Sequence, residues 1–235
     1  MRHLLVLLLT LVLSSCFDVK EEVWVHRDGS GDLALVVHLP HRALQLAGGN
    51  EALENAILEW FQSTPQLELS SLDILPPTPP SEDTTVQVRA HAPSLRVLSE
   101  ISESIPSQTF PSMPNLAGTF QIDLSIRGVD FHRQVNYRQA LGLAALAISS
   151  DQRQQRHLET RIHLPTRATT SNADEILDQG RTLVWHRSLG DALTRPTEMT
   201  FHAPLPLPLG WLACLSGLGL LLAGGLSWRR LRRRP

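Results

Sequence analysis

Apolar and polar residues alternate over residues 19–26, where Val19, Val23 and Val25 share one face. A period of two marks a half-buried strand. Asp28-Gly29-Ser30-Gly31-Asp32 is turn chemistry, and residues 33–39 form a second apolar run. Together they predict a hairpin. The period then lengthens. Ala52, Leu53, Ala56, Ile57, Trp60 and Phe61 fall on one helical stripe, with Glu51, Glu54, Asn55 and Glu59 opposite. This predicts a helix over 50–62, capped by Asn50 and packed on a sheet. A strand is expected over 67–75, before Pro76, Pro77, Pro79 and Pro80 break the chain into a loop. A strand over 84–91 precedes a short helix through Leu95, Leu98, Ile101 and Ile105, ended by Pro106. Residues 119–127 and 129–138 alternate around Gly128 and predict a second hairpin. Nine apolar residues at 140–148 are too short to cross a bilayer and predict a buried helix. Strands at 156–164 and 198–202 flank a last hairpin, 175–178 and 181–186, turning at Gln179-Gly180. The sum is one α+β domain, 16–203, with a curved, largely antiparallel sheet and two or three packed helices.

The two ends of the chain are apolar in a different way. Arg2 precedes the run Leu4 to Leu13, and Leu13-Ser14-Ser15-Cys16 closes it. This is a secretory signal, 1–15, and its last four residues resemble a lipobox, in which Cys16 is acylated and becomes the mature N-terminus. Residues 209–228 carry no charge and match the ~20 residues a helix needs to span a bilayer. Trp211 and Trp228 sit near the two ends of that span, where interfacial aromatics belong. Arg229, Arg230, Arg232, Arg233 and Arg234 follow, in the basic tail 229–235. The positive-inside rule places them in the cytoplasm, and the signal places the domain outside. Pro204, Pro206 and Pro208 make 204–208 an extended stalk. The expected location is the cytoplasmic membrane, single-pass, with the lipid anchor and domain on the outer face. Gly210, Gly217 and Gly224 recur every seventh residue and offer a face for a neighbouring membrane protein. Glycine is also common in membrane spans without such a role.

Charge sharpens the partner question. The 235-residue chain has a formal net charge of −2, with 21 basic and 23 acidic residues. Six of the basic residues, Arg2 and the five terminal arginines, lie outside the central region, which holds all the acidic ones. That region carries fifteen basic residues and a formal charge of −8. Such a domain lacks the basic footprint of a nucleic-acid binder. The two cysteines are Cys16 and Cys214, so no disulfide staples the domain.

Catalytic patterns are absent. The glycines at 29 and 31 fit a weak G-x-G-x-x-A match, but a strand follows them where a dinucleotide site needs a helix. Asp28 and Asp32 lack the remaining ligands of a calcium loop. His38, His41, His163, His186 and His202 are scattered, with no HExxH or Cys/His cluster for zinc. There is no G-x-S-x-G, P-loop or S-x-x-K, and the only lysine is Lys20. No cofactor or metal is expected, and the chain is not expected to be an enzyme.

Several features resemble the LppM-type bacterial lipoproteins. They are the lipobox at Cys16, the hairpin around Asp28-Gly29-Ser30-Gly31, the segment from Asn172 to Trp185 (NADEILDQGRTLVW), and the C-terminal span with its arginine tail. The resemblance implies an α+β domain enclosing an apolar groove, and binding of membrane lipid or glycolipid. Leu141, Leu143, Leu146, Ile148, Trp60 and Phe61 are candidate walls of that cavity. An assembly partner of an envelope complex is the second reading, and a hydrolase of unrecognised chemistry the third. Both tethers are short, so the first and last strands are expected to end on the same, membrane-facing side of the domain.

The lipobox makes a direct prediction. The intact mass of the mature protein should begin at Cys16 and include acyl chains. An unmodified Cys16, or another mature N-terminus, would reject the lipid anchor.

Overall fold

A computed structural model describes residues 18–46, 48–79, 83–97, 118–125, 128–141, 153–154 and 156–204. Cys16, most of the helix expected over 95–105, residues 142–148, and residues 205–235, from the stalk beyond Pro204 to the arginine tail, lie outside these. Among the described residues, no helix is long and apolar enough to cross a membrane.

The alternating runs form two sheets, where the sequence suggested one. The large sheet has seven strands. They are β1 (Asp18–Val25), β2 (Gly31–Pro40), β3 (Glu68–Leu75), β4 (Asp83–Ala92), β7 (His157–His163), β9 (Glu175–Leu177) and β10 (Thr182–Ser188), in the order β3-β4-β2-β1-β7-β10-β9. Every pair is antiparallel except β1 with β7, where Val19 faces Leu158 and Trp24 faces His163. The small sheet has the order β5-β6-β11-β8, from β5 (Thr119–Ser125), β6 (Gly128–Val135), β8 (Thr170–Ser171) and β11 (Thr197–Ala203). Its pairs are all antiparallel. The second hairpin is shorter than its alternation suggests. β6 stops at Val135, and Tyr137–Leu141 turns into a short helix, α3.

Helix α1 (His41–Leu46) leads into α2 (Gly49–Ser63). Asn50 does not cap α2. The cap is Gly48, whose left-handed backbone (φ 108°) suits glycine, and a Cβ there would meet that of Ala52 at 2.8 Å. The stripe itself works as expected. Ile57 and Phe61 are buried against Leu67, Val86, Val88, Ala90 and Ala92, which lines one half of the large sheet. The small sheet covers the other half. Met199, Phe201 and Ala203 of β11 pack with Ile162, Leu164, Leu183 and Trp185. A third cluster joins Val135, Tyr137 and Leu158 to Leu189, Ala192 and Leu193. The last three come from α4 (Leu189–Thr194), a helix the periodicity did not show. Ser188 caps it, with its hydroxyl accepting from the Asp191 amide at 3.0 Å.

One ion pair crosses between the sheets. Val129, Phe131, Arg133 and Val135 form the inward row of β6, so an arginine lies among core residues. Arg133 Nη1 donates to Glu21 Oε2 of β1 at 2.5 Å, and the side chains are 5% and 15% exposed. The Thr160 hydroxyl donates to the same oxygen, and the Arg133 guanidinium lies 4.8 Å from the centre of the Phe120 ring. Burial works against the Arg133 charge, but the Glu21 carboxylate and the nearby Tyr137 outweigh it and raise its pKa. Burial also pushes the Tyr137 hydroxyl up to about 12.

The ends of the fold contradict one expectation. Val19 packs on the cluster of Val135, Leu158 and Leu189, whereas Ala203 packs in the cluster that contains Val25 and Leu164. β1 therefore starts at one end of the domain and β11 finishes at the other. The reason is topological. β10 returns the chain to the end where β1 begins, α4 carries it to the small sheet, and β11 then runs the full length back.

The buried pair predicts an asymmetric response. Arg133→Met alone leaves the Glu21 carboxylate uncompensated and should cost about 3–5 kcal/mol. Adding Glu21→Leu should recover most of that loss in denaturant unfolding followed by tryptophan fluorescence.

Candidate binding site

The segment from Asn172 to Trp185 is built as a brace between the sheets. Asn172 Oδ1 accepts from Trp185 Nε1 at 2.9 Å and from the Thr200 amide at 2.8 Å. Its Nδ2 donates to the Glu198 carbonyl at 2.9 Å. One side chain thus ties β10 to β11. Two residues on, Asp174 accepts from the His186 amide at 2.8 Å and from Arg187 Nη1 at 2.7 Å. Burial alone would raise the Asp174 carboxyl; Arg187 and that amide outweigh it and hold it below the usual carboxylate value.

This brace forms one rim of an open hollow of about 370 Å³ on the outer face of the small sheet. Cross-strand register builds its floor in two rows. Gln121, His132 and Thr200 form one; Asp123, Asp130, His202 and Thr170 form the other. Ser171 and Asn172 complete the rim, with Phe131 and Phe201 also in the lining. His202 Nδ1 pairs with Asp130 Oδ1 at 2.7 Å. Asp123 and Asp130 stand directly opposite each other, a like-charge placement that costs stability in a sheet. Gly128 lets the hairpin approach this row. A Cβ there would meet the Ala203 carbonyl at 2.4 Å and the His202 ring at 3.0 Å. The hollow offers carboxylates, imidazoles, amides and hydroxyls at close quarters, able to accept and donate hydrogen bonds together.

Two other polar clusters lie on the large sheet. Asp32 is held between His26 and His91, each at 2.7 Å, and these two bonds, His91 first, lower its pKa. His163 faces Glu22 through Nε2 at 2.7 Å and the Thr182 hydroxyl through Nδ1 at 3.1 Å, with Trp24 stacked on its ring. The order hydroxyl, imidazole, carboxylate resembles a nucleophilic triad, but Thr182 donates to Asp178 at 2.5 Å and is 4% exposed. Its oxygen is neither presented to a substrate nor free to lose its proton to His163. Among the described residues, no group of three His, Cys, Asp or Glu is arranged to hold a metal ion.

Of the residues singled out in the sequence, Phe61 is buried in the α2 core. Trp60 is half-buried on the same helix, meeting Phe61 edge-to-face at 4.8 Å. Leu141 ends α3, and Leu143, Leu146 and Ile148 lie outside the described residues, as do Cys16, Gly210, Gly217, Gly224 and the five terminal arginines. In the sequence His202 is one scattered strand histidine. Its partner Asp130, and Asp123 and His132 beside them in the hollow, belong to no motif. Their one trace is the alternation that puts Asp130 and His132 on the outward face of β6.

No family model matches the sequence. No curated protein matches it either. Among solved structures, the chain is similar to the folded domain of Mycobacterium tuberculosis LppM, determined by NMR. The TM-score is 0.49 and the identity 9%, over 83% of this chain and 92% of that one.

The lowered Asp174 carboxyl fixes the sign of a pH effect. A depressed folded pKa gives stability that is present above the unfolded value and is lost as pH falls through the folded one. Asp174→Asn should therefore destabilise the protein at neutral pH, and the gap to the parent should close in acid, below the ordinary aspartate range. Melting curves of both proteins across that range measure it.

Proposed function

We propose that the chain is a membrane lipoprotein whose external domain binds a neutral, hydroxyl-rich ligand, the headgroup of a glycolipid or a related glycan, in the hollow of the small sheet. The anchoring half of this reading is supported by the lipobox at Cys16, the uncharged run 209–228 and the arginines beyond it. The recognition half rests on one observation. Gln121, Asp123, Asp130, His132, Thr170, Thr200 and His202 converge on a space of about 370 Å³, within the ~300–1,000 Å³ usual for small-ligand sites. Sugar hydroxyls donate and accept at once and suit such a lining. Two carboxylates side by side disfavour phosphate. The expected apolar ligand is thereby narrowed: the headgroup would be read by the domain, while acyl chains stay in the bilayer.

The opposite placement of the two ends bears on posture. β1 has eight residues, or roughly 25 Å at ~3.3 Å per residue. The stalk 204–208 reaches roughly 15 Å at ~3.1 Å per residue. With only Phe17 between Cys16 and the start of β1, both anchors can hold only if the strands run along the membrane rather than away from it.

Full-length protein in proteoliposomes should bind vesicles that carry a neutral glycosyl diacylglycerol and ignore phosphatidylglycerol vesicles. A soluble oligosaccharide of the same sugar should compete if a free glycan is the ligand and fail if the lipid is needed. Asp130→Ala and His202→Ala should each weaken binding about tenfold, the effect of losing one charge-assisted hydrogen bond. Equal binding by these variants would reject the hollow as the site.

A further inference from the structure

The large sheet ends at β9, and there the surface changes character. Ile176 is 56% and Leu177 43% exposed; with Leu75 at 46%, on the opposite edge, these are the exposed large apolar side chains among the described residues. Successive strand residues point to opposite faces, so the pair straddles the sheet edge. The tip beyond it is stiff. Asp178 and Gln179 both adopt the left-handed backbone, with φ 50° and 59°. Thr182 donates to the Asp178 carboxylate, and the Arg181 amide to the Asp178 carbonyl. Two non-glycine residues in that region persist only where surrounding contacts hold them.

Position gives the tip a partner. Leu177 faces Thr182, the Gly180 carbonyl accepts from the Ala168 amide at 2.8 Å, and the Thr166 hydroxyl donates to the Pro204 carbonyl at 2.6 Å. Residues 165–169 therefore join the tip to Pro204, where the described chain ends. The uncharged run begins at Leu209, within roughly 15 Å of extended chain at ~3.1 Å per residue. Arg167 and Arg181 are exposed beside the tip. The acidic groups nearby have partners: Asp174 has Arg187, Asp178 has Thr182, and Glu175 has His186 at 3.4 Å.

We propose that Ile176 and Leu177 insert into the bilayer interface, with Arg167 and Arg181 at the lipid headgroups. The edge thus forms a third membrane contact that sets how the domain is rolled about its strands. Apolar side chains buried at the headgroup boundary and flanked by basic ones are the chemistry of interfacial binding. In a domain of net negative charge, a basic apolar corner also dictates which corner an anionic surface accepts. This inference rests on reading 209–228 as a membrane span.

The test uses the full chain in proteoliposomes containing anionic lipid. A polarity-sensitive fluorophore is attached through Leu177→Cys in a Cys214→Ser background, through Leu75→Cys in the same background, or at the native Cys214. The signal of the Cys214→Ser parent is subtracted from the two variants. At position 177 the label should shift to the blue and be quenched by lipids brominated near the glycerol. At position 75 it should stay water-like. A water-like label at 177 beside a quenched Cys214 overturns the inference and leaves the span intact. A blue-shifted label at 177 that brominated lipid does not quench marks a protein partner and also overturns it. An unquenched Cys214 removes the span reading, and this inference falls with it.

Discussion

The fold depends on one buried charge pair. Glu21 lies midway along β1, the central strand of the large sheet, in register with Leu35 on one side and Thr160 on the other. Arg133 reaches it from the inward face of the small sheet. Apolar faces can slide over one another at little cost, since hydrophobic burial has no direction. A guanidinium and a carboxylate cannot, because separating them inside the core strands both charges. The pair therefore fixes which residues of β6 lie over β1. Phe120, Thr160 and Tyr137 are arranged around that choice. Asn172 fixes the opposite flank through Trp185, Thr200 and Glu198, so the small sheet is pinned on both sides.

Much of the local structure was legible in the chain. β4 alternates through its whole length, and its buried positions, Thr84, Val86, Val88, Ala90 and Ala92, are every second residue. The stripe of α2 shows the same agreement between pattern and burial. Legibility failed where structure depends on distant partners. Nothing in residues 19–24 announces a parallel neighbour some 140 residues later, because pairing is a property of two segments. Two sheets read as one for the same reason: alternation reveals a buried face without saying what covers it. α4 is only six residues long and its cap, Ser188, sits at the end of a strand. Periodicity needs more turns than that.

The hollow was less legible than the fold. Its side chains come from β5, β6, β8 and β11, each contributing one or two polar residues on an outward face. Polar residues facing outward are what any surface strand shows. Only register brings Asp123, Asp130 and His202 into one row, and register is set by the hairpin at Gly128 and by the pairing of β11 with β6. The inward arginine left a clearer trace. A charged residue in a row with Val129, Phe131 and Val135 calls for a buried counter-charge, and Glu21 breaks the Val19, Val23, Val25 row in the same way.

The opposite placement of entry and exit also has a mechanical meaning. Tension between two anchors would draw β1 out past one end of the domain and β11 out past the other. Each is an interior strand, β1 between β2 and β7, β11 between β6 and β8. Their ladder hydrogen bonds would be loaded together, in shear, with no edge from which to peel one at a time. Resistance to such a load is a matter of unfolding rate rather than of equilibrium stability. Under the double anchoring proposed above, a domain threaded this way would act as a strut in line with its tethers, carrying lateral strain while its outward faces keep their shape.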